Sequence, residues 1–337
     1  MNARPKHLVV GAVLATSALA LTACSGTSPS DGASSPATSA TGGGFEFADA
    51  RGGTVTLDAV PSTVVAQSSV AAALWDAGYH VAGVYGELTP VDGELSYQAG
   101  SIDLDDVTVI GSTYGEFDTE AYGLMNPDLL VDYTFDGSSL WYVPAEQSDQ
   151  VLGLAPSLAV PGTYDDTTSA IETFVELAGA LGADTGSQEL ADEKAAYDKA
   201  LDDIGAVAAD SGLKVVVMSA TTDSLYVVDP ENLPETKTLT GVGLDLIAPD
   251  KHTSDQFQQY SWEQASDYAD ADVILFDARA YDGLKADLDK IPTWASLPAV
   301  QAGQVYPWYA AAPYSYKAYA SIYQELADEL RGAQDLG

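Results

Sequence analysis

The stretch that decides the fold is FDTEAYGLMNPDLLVDY, Phe117 to Tyr133. Thr119 to Met125 reads as a short helix. Asn126-Pro127 stops it, because proline lacks the N–H a helix needs and disfavours helical backbone in the residue before it. Asp128 to Tyr133 (DLLVDY) is then an apolar run of strand length. Such a run, without alternation, fits a strand covered on both faces, as in a parallel sheet. The pattern returns as YSWEQASDYADADVILFD, Tyr260 to Asp277. Trp262 to Ala269 is helical, and DVILF is a second buried strand. An acid opens each helix: Glu120 lies seven residues before Pro127, and Glu263 seven before Asp270. The helix dipole favours an acid in the first turn by ~0.3–1 kcal/mol, which is one reading of both glutamates.

Outward from these two segments, strands alternate with helices in each half. Gly52-Gly53 before Thr54 to Leu57 suggests a small hairpin. Val64 to Ala66, Val81 to Val84 and Val107 to Ile110 read as strands, and Val70 to Ala77 as a helix. A helical stretch follows, with Ser169 to Leu181 interrupted by Gly182. The longest helix is Ser187 to Asp210, where Leu190, Tyr197, Leu201, Ile204 and Ala208 share one face. At ~1.5 Å per residue it is over 30 Å long, enough to cross a domain. Alternation then restarts with Leu213 to Met218 and Leu225 to Val228. Gly241 to Ile247 reads as helical, Val305-Tyr306 as a short strand and Ala318 to Leu330 as an amphipathic helix. The organisation is two α/β halves joined by one long helix.

Charge and the amino terminus bound the function. The chain has 337 residues, with 13 basic against 50 acidic, a formal net charge of −37. The few cations are scattered, so nucleic acid and anionic lipid are excluded as partners. A lone cysteine excludes disulfide frameworks and thiolate clusters. Arg4 and Lys6 precede an apolar run from Leu8 to Leu21, too short to span a bilayer and laid out like a secretory signal. Leu21-Thr22-Ala23-Cys24 resembles a lipobox, which makes Cys24 the expected lipidation site. Cleavage before Cys24 leaves 11 basic and 50 acidic residues, a net charge of −39. Residues 1–23 are thus read as the signal and 24–44 as a flexible Ser/Gly/Thr/Pro tether. An N-terminal α/β lobe (45–166), a helical segment with the interlobe helix (167–211) and a C-terminal α/β lobe (212–337) follow.

The chain resembles the substrate-binding lipoproteins of ABC importers for iron–siderophores, haem and cobalamin. The likeness lies in Phe47 to Leu57 (FADARGGTVTL), in Pro61 to Val65, and in the two segments quoted above. It also lies in Trp294 to Val300 (WASLPAV) followed by Gly303 to Tyr306 (GQVY). It implies an α/β fold of two Rossmann-like lobes bridged by a single long α-helix, with the ligand cleft between the lobes. It further implies that Glu120 and Glu263 dock onto arginines of an ABC permease in the cytoplasmic membrane. The protein is then a monomer on the extracytoplasmic face of the cell membrane, held by its lipid anchor alone. The long helix implies little lobe motion on binding.

Ligand pockets in such folds lie at loops beyond the strand ends. Here those loops carry Tyr85, Tyr133, Trp141, Tyr142, Tyr226, Trp308, Tyr309 and Tyr314. Tyrosine joins an apolar face to a polar tip, which suits a bulky ligand of mixed polarity, although each ring also has a reading as core. Arg279 follows DVILFDA. It has two readings: a fork onto hydroxamate or carboxylate oxygens, or a salt bridge to Asp277 or Asp282. A trianionic ferric tris-catecholate requires several cations, whereas ferric hydroxamates are neutral or cationic. The charge therefore favours a hydroxamate-type ferric siderophore, with haem or cobalamin as alternatives. Haem would need an axial His, Tyr or Met; of the histidines cleavage leaves only His80 and His252, and ligation by a tyrosine stays open. No direct metal site and no cofactor are expected. Gly111-Ser112-Thr113-Tyr114-Gly115 has Thr where a nucleophile elbow needs Ser, and no HExxH is present, so a secreted hydrolase is the remote alternative.

Overall fold

The computed structural model describes residues 43–88, 95–251 and 256–337. Cys24, the signal, His252 and all of the tether but Gly43-Gly44 lie outside the described residues. An antiparallel hairpin, β1 (Phe45–Ala48) and β2 (Thr54–Leu57), opens the chain. The first lobe is a parallel five-stranded sheet of β3 (Val64–Gln67), β4 (Gly83–Tyr85), β5 (Thr108–Val109), β6 (Leu129–Thr134) and β7 (Ser157–Pro161). Its order is β5-β4-β3-β6-β7. Every residue of β3 and β6 is buried, as the unbroken apolar runs require. Helices α1 (Ser68–Asp76), α2 (Thr119–Leu124) and α3 (Ser148–Leu152) connect these strands. Asn126, with φ at 49°, takes the left-handed backbone that lets the chain leave α2 and reach Pro127.

Two helices follow, α4 (Thr167–Ala180) and α5 (Gln188–Ser211). A capping box of Asp166 and Ser169 starts α4, and Ser187 caps α5. The crossing between lobes is made by one helix, and that helix is α4. It packs on α1 and β1 at one side and on α6 (Pro234–Gly241) of the second lobe at the other. The longer α5 lies instead along α10 (Tyr316–Gly332). Its apolar face, with Leu190, Tyr197, Ala200 and Ile204 buried, is satisfied there rather than by spanning.

The second sheet comprises β8 (Lys214–Ala220), β9 (Leu225–Val228), β10 (Asp245–Leu246), β11 (Phe257–Tyr260), β12 (Val273–Asp277) and β13 (Val305–Trp308). Its main order is β11-β9-β8-β12-β13, with β10 also on β8. Strands β8, β10, β12 and β13 are parallel, and β9 runs antiparallel to both of its neighbours, β8 and β11. Trp262 to Tyr268 is a 3-10 helix. Helices α7 (Ala278–Leu288), α8 (Pro292–Ala295) and α9 (Pro298–Ala302) complete the lobe. The helix expected over Gly241 to Ile247 is corrected. Pro234 starts α6 earlier, Gly243 with φ at 99° ends the turn, and Asp245-Leu246 pairs with Lys214-Val215 of β8. A local apolar period cannot distinguish this short parallel strand from a helix. No helix among the described residues is long and apolar enough to cross a membrane.

Candidate functional site

Strand order reverses between β3 and β6 in the first sheet and between β8 and β12 in the second, and ligands of α/β folds bind at such switch points. A cleft of about 670 Å³ opens there, lined from both lobes. The first lobe contributes Gln67 and Ser69 at the β3–α1 turn, then Tyr133, Phe135, Trp141 and Tyr142 beyond β6. The second contributes Glu235 from α6, Phe257 from β11, Arg279 at the start of α7, and Trp308 and Tyr314 around β13.

The first wall is aromatic and held from behind. Phe135 packs against Trp141 with ring centroids 4.9 Å apart. Gly162 makes room for Phe135, since a Cβ there would fall 2.4 Å from the ring. Asp132 is fully buried behind this wall. It accepts hydrogen bonds from the Tyr85 hydroxyl at 2.9 Å and the Tyr142 N–H at 3.0 Å. Burial raises its carboxyl and these donors oppose the rise, leaving it at about 7. Gln67 Oε1 caps α1, accepting from the N–H groups of Ser69 at 2.9 Å and Val70 at 3.2 Å.

The second wall carries the charge. Arg279 donates to Asp277 in a fork, Nε to Oδ1 at 3.0 Å and Nη2 to Oδ2 at 2.7 Å. Burial works against its charge, but the Asp277 carboxylate outweighs burial and raises the guanidinium further. The Ser219 hydroxyl holds Asp277 from the other side at 3.0 Å. Arg279 is the only cation among the described residues lining the cleft, and it is neutralised by its neighbour. Glu235 accepts from the hydroxyls of Tyr319 at 3.0 Å and Tyr314 at 3.2 Å. Burial raises its carboxyl; hydrogen bonds and the charge of Arg279 lower it.

The structure thus brings Tyr133, Trp141, Tyr142, Arg279, Trp308 and Tyr314 to one cleft and leaves three other nominated residues outside its lining. Tyr85 is fully buried and serves Asp132. Tyr226 lies within β9, between Ser219 and Gln259 of its neighbours. Tyr309 turns to α10, its hydroxyl 3.2 Å from Glu325. Sequence reasoning missed Glu235, Gln67 and Phe257, which carry no local motif. Glu235 follows Pro234 at a helix start and reads as a solvated acid. Glu120 and Glu263 are both exposed, each the second residue of a short helix leading into a buried central strand. The Glu263 carboxylate is lowered by its own N–H and by Ser261. His80 stacks on Trp75 at 3.8 Å and does not line the cleft. Among the described residues, no group of three His, Cys, Asp or Glu side chains is placed to hold a metal.

A family model described as periplasmic binding protein matches residues 64–312. The chain belongs to the periplasmic binding protein family. This family binds solutes, so the binding protein is not an enzyme. It resembles the solved structure of DesE, a ferric-siderophore receptor protein from Streptomyces coelicolor, with 37% identity and a TM-score of 0.80. That match covers 87% of this chain and 100% of DesE. A siderophore periplasmic binding protein from the fuscachelin gene cluster of Thermobifida fusca matches at 22% identity and TM-score 0.58, over 81% of this chain and 97% of that one. FhuD2 from Staphylococcus aureus, solved with bound ferrioxamine B, matches at 17% identity and TM-score 0.55, over 80% and 98%. These last two share the fold. A comparison with curated proteins finds no match.

Proposed function

We propose that this binding protein captures a ferric siderophore, of hydroxamate type, outside the cytoplasmic membrane and delivers it to an ABC permease. The observation that carries the reading is the cleft itself: a two-lobed, aromatic-walled space whose one lining cation among the described residues is already paired with Asp277. Such a wall suits a bulky complex with little net negative charge. A ferric tris-catecholate would bring three negative charges to a cleft whose described residues offer no free cation, in a chain of net charge −37. The likeness to DesE supports the siderophore class. Cys24, in its lipobox-like setting, is the proposed anchor, and Glu120 and Glu263 the proposed docking contacts, one from each lobe.

The test is a fluorescence titration. Trp141 and Trp308 both line the cleft, so an iron complex bound there quenches their emission. The panel is ferrioxamines, ferrichrome, ferric enterobactin, haemin and cobalamin. Saturable quenching is expected to be tightest for a hydroxamate. Tightest binding of the catecholate overturns the charge argument, and a response to haemin or cobalamin alone overturns the siderophore reading.

A further inference from the structure

Among the described residues, Tyr114, Phe135 and Trp141 are the only Phe, Tyr or Trp side chains left exposed, at 59%, 46% and 47%. They are not scattered. Trp141 packs on Phe135 with ring centroids 4.9 Å apart, and on Tyr114 at 6.2 Å. Tyr114 also meets Tyr142 edge-on at 5.3 Å. Phe135, Trp141 and Tyr142 line the cleft, whereas Tyr114 does not. The rings therefore form one ledge that begins inside the cleft and continues beyond its lining, over the first lobe. The second lobe has no counterpart, since no large apolar side chain among its described residues is exposed.

The chain is shaped to present the outer ring. Tyr114 lies in the turn that joins β5 to α2. There the Ser112 N–H donates to Glu116 Oε2 at 2.8 Å, and the Ser112 carbonyl accepts from the Leu88 N–H at 3.0 Å. The Tyr114 N–H donates to Glu87 Oε1 at 3.1 Å. Two glycines permit this path: a Cβ at Gly111 would fall 2.1 Å from the Glu116 carbonyl oxygen, and Gly115 has φ at 81°. A single exposed ring needs no explanation, but a contiguous group at the rim of a cleft marks a surface that binds something. Continuity with the cleft wall identifies the occupant as the ligand of that cleft. An arm of the ligand that leaves the cleft on this side meets ring faces and edges, which favour an apolar or aryl group.

We infer that Tyr114 determines specificity at the cleft rim, holding a siderophore arm that ends in an apolar or aryl group. This rests on the siderophore reading above and goes beyond it by naming a group on the ligand and the residue that reads it.

Affinity is measured by tryptophan quenching for two uncharged-arm derivatives of one iron complex, N-acetyl and N-benzoyl ferrioxamine B. They differ only in the size and aromaticity of the cap. The wild-type protein is expected to bind the benzoyl form about tenfold more tightly, the scale of one aromatic pair and the apolar area it buries. In Tyr114→Ala, an exposed site, the ratio of the two affinities is expected to fall close to one. Tyr114→Phe, which keeps the ring, is expected to keep the ratio. Equal wild-type affinities overturn the inference and leave the siderophore reading standing. A Tyr114→Ala variant that keeps the wild-type ratio overturns it too, as does a Tyr114→Phe variant that loses it. Sedimentation of the same samples checks the other occupant: a dimer that Tyr114→Ala dissolves would give the ledge to a second copy and overturn the inference. If the wild type binds neither form, the siderophore reading itself fails and the inference goes with it.

Discussion

Asp132→Asn separates what burial does to the carboxylate behind the aromatic wall from what its shape does. Asp132 accepts from Tyr133 N–H at 2.7 Å, Tyr85 hydroxyl at 2.9 Å and Tyr142 N–H at 3.0 Å, with no solvent exposure. Burial, only partly opposed by these donors, moves its titration from 3.8 to about 7. Between those values the folded protein keeps a proton that the unfolded chain has released. The folded state is thereby favoured below the window, and the advantage is lost as pH rises through it. The separation corresponds to on the order of 4 kcal/mol by pH 8. Asparagine has the same outline and never ionises. Any misfit of its amide with the N–H donors is independent of pH, so the difference in slope isolates the charge. Thermal unfolding of both proteins is followed from pH 5 to pH 8. About 2.7 kcal/mol of this falls between pH 5 and pH 8, so at about 2 °C per kcal/mol wild-type Tm is expected to fall relative to the variant by on the order of 5 °C. Parallel curves, or a wild-type Tm that gains on the variant as pH rises, would refute the reasoning.

Three further outcomes are expected. Glu120→Ala combined with Glu263→Ala abolishes ligand uptake by cells while quenching titrations give the same affinity; unchanged uptake removes these residues from docking. Trp294, 1% exposed and edge-on to Phe276 at 5.4 Å, fills the core of the second lobe, so Trp294→Ala is expected to cost ~3–5 kcal/mol by calorimetry. A loss below about 1 kcal/mol would show that the site collapses around the cavity. Gly162→Ala drives Phe135 off its seat, so ligand affinity is expected to drop while Tm changes little, because that ring is 46% exposed. A large Tm loss with intact affinity would place Phe135 in the core rather than in the wall.

Strands buried on both faces were legible because nothing interrupts their apolar runs: Val64 to Gln67, Leu129 to Thr134 and Val273 to Asp277 all lie in sheet centres. The caps were legible in part, since Ser187 and Asn126-Pro127 mark ends by backbone chemistry. The crossing helix was not. Length points to α5, yet α4 makes the crossing, and only the partner α10 reveals where the apolar face of α5 goes. Within the cleft, Trp141 and Tyr142 could be nominated because they follow a strand end. Tyr85 follows one equally, but its side chain turns inward to Asp132, a choice made by tertiary packing. Glu235 was hidden for the opposite reason. An acid near a helix start is ordinary, and only its burial against Tyr314 and Tyr319 makes it a feature of the site.

The lobes are joined at more than α4. The segment between β13 and α10 reaches the first lobe, where the Tyr97 hydroxyl donates to the Ala310 carbonyl at 2.6 Å and the Ser315 hydroxyl to Asp76 at 2.6 Å. Two separate straps are expected to resist both hinge and twist, which would hold Glu120 and Glu263 at a nearly fixed spacing with the cleft full or empty. A permease gripping that pair would then have no ruler for telling a loaded molecule from a bare one. Bare copies would occupy the same seat, and import would slow when the protein outnumbers its cargo. Throughput would follow the ratio of cargo to carrier, not the number of carriers alone.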